Sequence, residues 1–237
     1  KGGILHGPTG CGKTLLGSAI AKKANLNFIS VKGPELLDKF IGASEAAVRS
    51  VFTRASQASP CLIFFDEFES LAPKRGNDST GVTDRVVNQL LTFLDGVEVS
   101  EGEVFVLAAT SRMDMIDAAL LRPGRLDLKV EVALPTSGER ADILRKIVKK
   151  NGMNVQDGVL ETIISQGLLR DDHNPADLSA ICNSAYLAAV HEAIRGRRAG
   201  EVGKEDVIVS EKHFLDAIIA TKPSSVKIAE EDQFGVR

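Results

Sequence analysis

A chain of 237 residues, 43% of them hydrophobic, can bury one large core or two smaller ones and is not composed like a disordered segment. Its 29 basic and 32 acidic side chains leave a net charge of −3, which argues against a domain built to grip a nucleic-acid backbone, and no apolar stretch reaches membrane-spanning length. Three cysteines without paired spacing fit a reducing compartment, four histidines form no metal-ligand pattern, and the absence of tryptophan removes the strongest base-stacking side chain.

The chain opens inside an apolar, strand-like stretch at residues 3–6, so the true N-terminus is expected upstream. Next comes Gly7-Pro8-Thr9-Gly10-Cys11-Gly12-Lys13-Thr14, which fits the phosphate-loop pattern G-x-x-x-x-G-K-[ST]. Glycines let such a loop turn its N–H groups inward at a triphosphate, and the helix that begins with Leu15 sets its positive end at the same place. Lys13 is expected to reach the β- and γ-phosphates and the Thr14 hydroxyl to hold Mg²⁺. Further strands are expected at 27–31, 61–66, 104–110 and 128–134. Between them, Val48, Val51, Phe52 and Ala55 mark one helical face, and Val86, Val87, Leu90, Leu91 and Leu94 another. Strands alternating with helices predict a parallel sheet covered on both faces.

The third strand, Cys61-Leu62-Ile63-Phe64-Phe65-Asp66-Glu67, is a continuous apolar run ending in two carboxylates. In parallel sheets ligands sit beyond the carboxyl ends of the strands. Asp66 is therefore expected to hold Mg²⁺, directly or through water, and Glu67 to orient and deprotonate an attacking water. Two solvated acids at a strand end are the bland alternative, which the upstream loop disfavours. After Pro135 the pattern turns helical. Ile143 and Ile147 mark one helix; Asn174-Pro175 starts another, faced by Leu178, Ile181, Cys182, Ala185 and Ala189; Phe214, Ala217 and Ile218 mark a third. The expected division is an α/β nucleotide-binding part over 1–135, its N-terminal portion lying upstream, and a small all-helical lid over 136–237. Residues 196–203 are expected to form an exposed linker, and Arg195-Gly196-Arg197-Arg198 reads as a solvated helix end.

Two further segments narrow the class. Lys39-Phe40-Ile41-Gly42-Ala43-Ser44-Glu45 and Ala119-Leu120-Leu121-Arg122-Pro123-Gly124-Arg125-Leu126-Asp127, taken with the loop and the acidic strand, strongly resemble the AAA ATPases of the AAA+ superfamily. The resemblance covers nearly the whole chain. It implies a P-loop NTPase fold with a helical lid, ATP and Mg²⁺ as ligands, and a hexameric ring that threads protein through its pore. By the same resemblance Lys39, Phe40 and Ile41 form a pore loop against substrate, residues 77–81 are a second pore loop or a surface turn, Ser111 is a catalytic residue able to donate a hydrogen bond to a γ-phosphate or water, and Arg122 and Arg125 act on the neighbouring subunit's site. An aromatic such as Phe40 grips a chain without reading its sequence, because it offers apolar area rather than directed hydrogen bonds. Residues 64–70, 80–91 and 108–112 are similar to the second ATPase domain of the peroxisome-biogenesis branch. That implies a hetero-hexamer with a second AAA subunit, work at the cytosolic face of the peroxisomal membrane, and recruitment there through a partner or another domain.

Several positions depart from the family pattern. Ser111 replaces an asparagine and has a shorter reach, Ile147 replaces a histidine near the adenine, and Asn174-Pro175 replaces Ser-Gly. Proline lacks a backbone donor, which puts nucleotide contact there in doubt. Thr9 and Cys11 vary the loop. Lys13, Thr14, Asp66 and Glu67 are all present. Four functions remain open: an ATP-driven protein translocase, another protein-remodelling ATPase of the same family, an ATP-binding subunit without turnover, which the presence of Glu67 disfavours, and a DNA-acting motor, which Phe40 and the acidic balance disfavour.

Overall fold

The computed structural model describes residues 2–37, 43–74, 81–96, 103–196 and 207–224. The chain divides into two compact units: one of Lys1–Pro8 with Gly12–Val132, the other of Thr9–Cys11 with Ala133–Arg237.

The first unit holds a five-stranded, wholly parallel sheet. Its strands are β1 (Gly2–His6), β2 (Asn27–Lys32), β3 (Cys61–Asp66), β4 (Val104–Thr110) and β5 (Leu126–Glu131), in spatial order β2-β3-β4-β1-β5. Its helices are α1 (Lys13–Lys23), α2 (Ala43–Gln57), the single turn α3 (Phe68–Leu71) and α4 (Val82–Leu94). Alternation of side chains along each strand gives the sheet two buried faces. Ile4, Ile63, Phe65, Val106 and Ala108 pack with Val48, Val51 and Phe52 of α2 and with Val86, Val87 and Leu90 of α4. Leu5, Leu62, Phe64, Leu107 and Ala109 face the other way, onto Ala21 of α1. β3 is therefore buried on both faces from Cys61 to Phe65, which is why it reads as an unbroken apolar run. Gly17 lets α1 lie close to the sheet: a Cβ there would stand 2.5 Å from the Phe64 ring.

The parallel α/β sheet is as expected, with one strand displaced. β5 runs over Leu126–Glu131 rather than 128–134, because β1, its partner among the described residues, ends at His6 opposite Glu131. Beyond His6 the chain turns at Gly7 (φ +146°), where a Cβ would meet the Val132 carbonyl at 2.1 Å, so only glycine fits.

The second unit contains α5 (Ser137–Asn151), α6 (Val159–Ser165), α7 (Pro175–Gly196) and α8 (Glu211–Ala220). It is not all helical: β6 (Asn154–Val155) and β7 (Ile208–Val209) pair in parallel. Two-residue strands carry no period for a sequence reading to detect. The core contains Leu178, Ile181, Cys182, Ala185, Ala189, Phe214 and Ala217, with Ile143, Ile147 and Ile218 at its margin. α5 buries Arg140, Ala141, Leu144 and Val148, a face rotated from the one that Ile143 and Ile147 suggested. The linker positions 197–203 and the pore-loop positions Lys39, Phe40, Ile41 and 77–80 lie outside the described residues.

His173 is fully buried in this unit, its Nδ1 accepting from the Arg170 N–H at 3.2 Å. Burial holds its imidazole below the usual range, against the opposing pull of Asp177 and Asp172. The unfolded chain therefore takes up a proton before the folded one does. The stabilising difference is intact above the unfolded value of about 6.5 and is lost as pH falls toward the lower folded value. Urea midpoints measured from neutral to mildly acid pH are expected to fall over this window, and His173→Gln is expected to flatten that slope.

Candidate nucleotide site

The loop follows directly from β1. Within the first unit, Lys13 is buried at the start of α1 and its ammonium donates to the Gly7 carbonyl at 2.7 Å and the Pro8 carbonyl at 2.8 Å. Gly12 precedes α1 in the left-handed region (φ +91°), and a Cβ added there would meet nothing within 4 Å. Space is therefore open at the residue that leads into α1, and the first turn of that helix carries no acid. Leu15 sits on that first turn with its side chain exposed.

Asp66 ends β3, and its two oxygens are both engaged. The Thr14 hydroxyl donates to Oδ2 at 2.6 Å and the Glu67 N–H to Oδ1 at 3.0 Å. Residues 52 positions apart are joined here because β3 and α1 meet at the carboxyl end of the sheet. Glu67 is exposed and sits at φ +52°, ψ +47°. A non-glycine residue in this region costs of order 1–3 kcal/mol and is a common mark of functional sites. No cluster of three or more His, Cys, Asp or Glu side chains fit to hold a metal occurs among the described residues. A Thr–Asp pair nonetheless suits Mg²⁺, which takes few protein ligands and fills its remaining positions with phosphate and water. The open space at Gly12, the loop-seated ammonium of Lys13 and the Thr14–Asp66 pair thus fit a Mg²⁺–triphosphate.

Within the second unit, the loop tip is held by the start of α7. Asn174 Nδ2 donates to the Thr9 carbonyl and the Ala176 N–H to the Gly10 carbonyl, both at 3.2 Å. Asn174 and Asp177 also exchange backbone-to-side-chain bonds at 2.8 and 3.0 Å, which caps α7. Asn174 and Ala176, on either side of Pro175, are therefore bound to Thr9 and Gly10 of the same unit. Cys11 is half-buried, whereas Cys61 and Cys182 are buried and burial raises both thiols, that of Cys182 to about 12.

The two arginines of the 119–127 segment differ. Arg122 is exposed. Arg125 is half-buried and bidentate to Asp95, at 2.6 and 2.7 Å, with a third bond to the Ala119 carbonyl at 2.6 Å. The bond to Asp95 raises the Arg125 guanidinium, and the bond from Arg125 lowers the Asp95 carboxyl. Ser111, just past β4, donates its hydroxyl to Glu69 at 2.7 Å. Asp95 and Glu69 escape a sequence reading. Each is an acid at a helix end or turn, and its partner lies 30 or 42 residues away.

A model of the ATPase family associated with various cellular activities (AAA) matches residues 3–134. The chain is similar to Peroxisomal ATPase PEX1 of Saccharomyces cerevisiae, 54% identical over 207 residues that cover 85% of this chain and 20% of that protein. Against Peroxisomal ATPase PEX1 of Homo sapiens it is 57% identical over 189 residues, 79% of this chain and 14% of that protein. Against Nuclear valosin-containing protein-like of Mus musculus it is 50% identical over 224 residues, 93% of this chain and 26% of that protein. The chain thus spans only a minor part of each relative's length. The family match covers more than half of the chain, over the segment that carries the loop, the acidic strand and the 119–127 segment, and the chain belongs to the AAA ATPase family.

Proposed function

We propose that this chain hydrolyses ATP as one subunit of a hexameric ring and uses the hydrolysis to draw a protein through the pore. The carrying observation is the joined set at the end of β3: Thr14 on Asp66, with the adjacent Glu67 held in the left-handed region beside an open phosphate loop.

Residues 7–14 and Leu15 would cradle the phosphates, with Lys13 moving from the Gly7 and Pro8 carbonyls to the β- and γ-phosphates. Thr14 and Asp66 would hold Mg²⁺, which when bound neutralises charge on the phosphate oxygens. Glu67 takes a proton from water as the water oxygen bonds to the γ-phosphorus. The bond from that phosphorus to the β–γ bridging oxygen breaks, leaving ADP and phosphate. Ser111 faces the same reaction from the end of β4. Arg122, and Arg125 if released by Asp95, would reach the neighbouring subunit's site. Guanidinium suits that task because it is always charged and fork-shaped.

The peroxisomal reading rests on the likeness to the proteins named Peroxisomal ATPase PEX1. It places this chain in a hetero-hexamer with peroxisome biogenesis factor 6, at the cytosolic face of the peroxisomal membrane, extracting the import receptor from that membrane. Among the described residues no helix is long and apolar enough to cross a membrane. In this reading recruitment is through a partner or another domain. Phe40→Ala tests the coupling. It is expected to leave ATP turnover largely intact while unfolding of a tethered protein substrate fails. Equal loss of both in parallel ATPase and unfolding assays would make Phe40 a structural residue instead.

A further inference from the structure

The turn after β3 and the end of β4 converge on one carboxylate. The Ser111 hydroxyl donates to Glu69 Oε1 at 2.7 Å, and the Ser111 N–H lies 3.4 Å from the same oxygen. Thr110, almost fully buried, has its Oγ1 accepting from the Arg112 N–H at 3.0 Å. The other oxygen of Glu69, Oε2, is buried without a hydrogen-bond partner among the described residues. Burial pushes the Glu69 carboxyl up, but the hydrogen bonds from Thr110, Ser111 and the backbone outweigh it and bring it below the ordinary range. A carboxylate in this setting is a strong acceptor for the Ser111 hydroxyl.

A serine hydroxyl has one proton and two lone pairs. With its proton committed to Glu69, the Ser111 oxygen can meet any third group only as an acceptor. An accepting oxygen repels the anionic oxygens of a γ-phosphate and suits the O–H of water. We infer that Glu69 is a positioning residue that fixes Ser111 as the hydrogen-bond acceptor for the attacking water, rather than as a donor to phosphate. This rests on the proposed placement of Ser111 in the hydrolytic site. β3 and β4 are adjacent parallel strands, so Glu67 and Ser111 stand at neighbouring carboxyl ends. A water giving one O–H to Ser111 and the other to Glu67 keeps a lone pair for phosphorus. Glu67 takes the water's proton, and the Ser111 proton stays with Glu69.

The test uses the full-length protein in its ATP-hydrolysing assembly, with kcat and the dissociation constant of a fluorescent ATP analogue measured for each variant. Ser111→Ala and Glu69→Ala are each expected to lower kcat about 10- to 100-fold, the range for a hydrogen bond to a charged group, with affinity within about twofold. The double variant is expected to be no slower than either single one, because Glu69 acts through Ser111. Glu69→Gln, which keeps the volume and a neutral acceptor, is expected to recover part of the rate. If Glu69→Ala does not fold, the same cycle is run with Glu69→Gln and Ser111→Ala. Multiplying losses, or affinity falling as far as kcat, would overturn the inference. These outcomes are separable from failure of the hydrolytic reading itself, which would appear as undiminished turnover in Glu67→Gln.

Discussion

Glu67→Gln is expected to leave ATP bound and to lower its hydrolysis by about 10²–10⁴-fold, the usual contribution of a positioned proton acceptor. Glutamine keeps the length of the side chain but cannot take a proton from water. The phosphate grip lies elsewhere, in the loop, the start of α1 and Lys13, so it survives the change. Lys13→Ala is expected to do the opposite and abolish binding. It removes the one cation seated within the loop, where it now satisfies the Gly7 and Pro8 carbonyls. Rapid-quench turnover of bound ATP reads the loss in Glu67→Gln directly.

Arg122→Ala is expected to lower hydrolysis at the neighbouring subunit's site by about 10³–10⁵-fold, while its own chain still binds ATP. Arg122 is exposed, as a group reaching across an interface must be. Arg125 differs, since reaching outward requires breaking a bidentate pair with Asp95 and a bond to the Ala119 carbonyl. Arg125→Ala is therefore expected to loosen the 119–127 turn as well as to slow the neighbour. A mixed ring, with the substitution on one subunit type and turnover followed at the other's site, checks this. A monomer that hydrolyses ATP at the full ring rate, unaffected by the substitution, would remove the shared site.

Much of this arrangement is legible in the sequence because it is local. The phosphate loop is eight consecutive residues. The apolar run 61–65 before Asp66 reports burial on both faces of the sheet, and Asn174-Pro175 reports the start of α7 through its capping chemistry. What stays hidden is set by register and contact between distant segments. The end of β5 is fixed by where β1 stops. Glu69 looks like an ordinary surface acid until β3 and β4 pair and bring Ser111 to it across 42 positions. Arg125 looks equivalent to Arg122 until the turn after α4 delivers Asp95. The proline at 175 puts a nucleotide contact in doubt, and the sequence does not show that its neighbours Asn174 and Ala176 donate to the Thr9 and Gly10 carbonyls.

The most direct measurement is equilibrium binding of labelled ATP, with Mg²⁺ present, to Lys13→Ala and Glu67→Gln side by side, with turnover followed on the same samples. A phosphate loop served by a separate proton acceptor predicts saturable binding without turnover in Glu67→Gln and no binding in Lys13→Ala. Undiminished binding in Lys13→Ala, or normal turnover in Glu67→Gln, would contradict it.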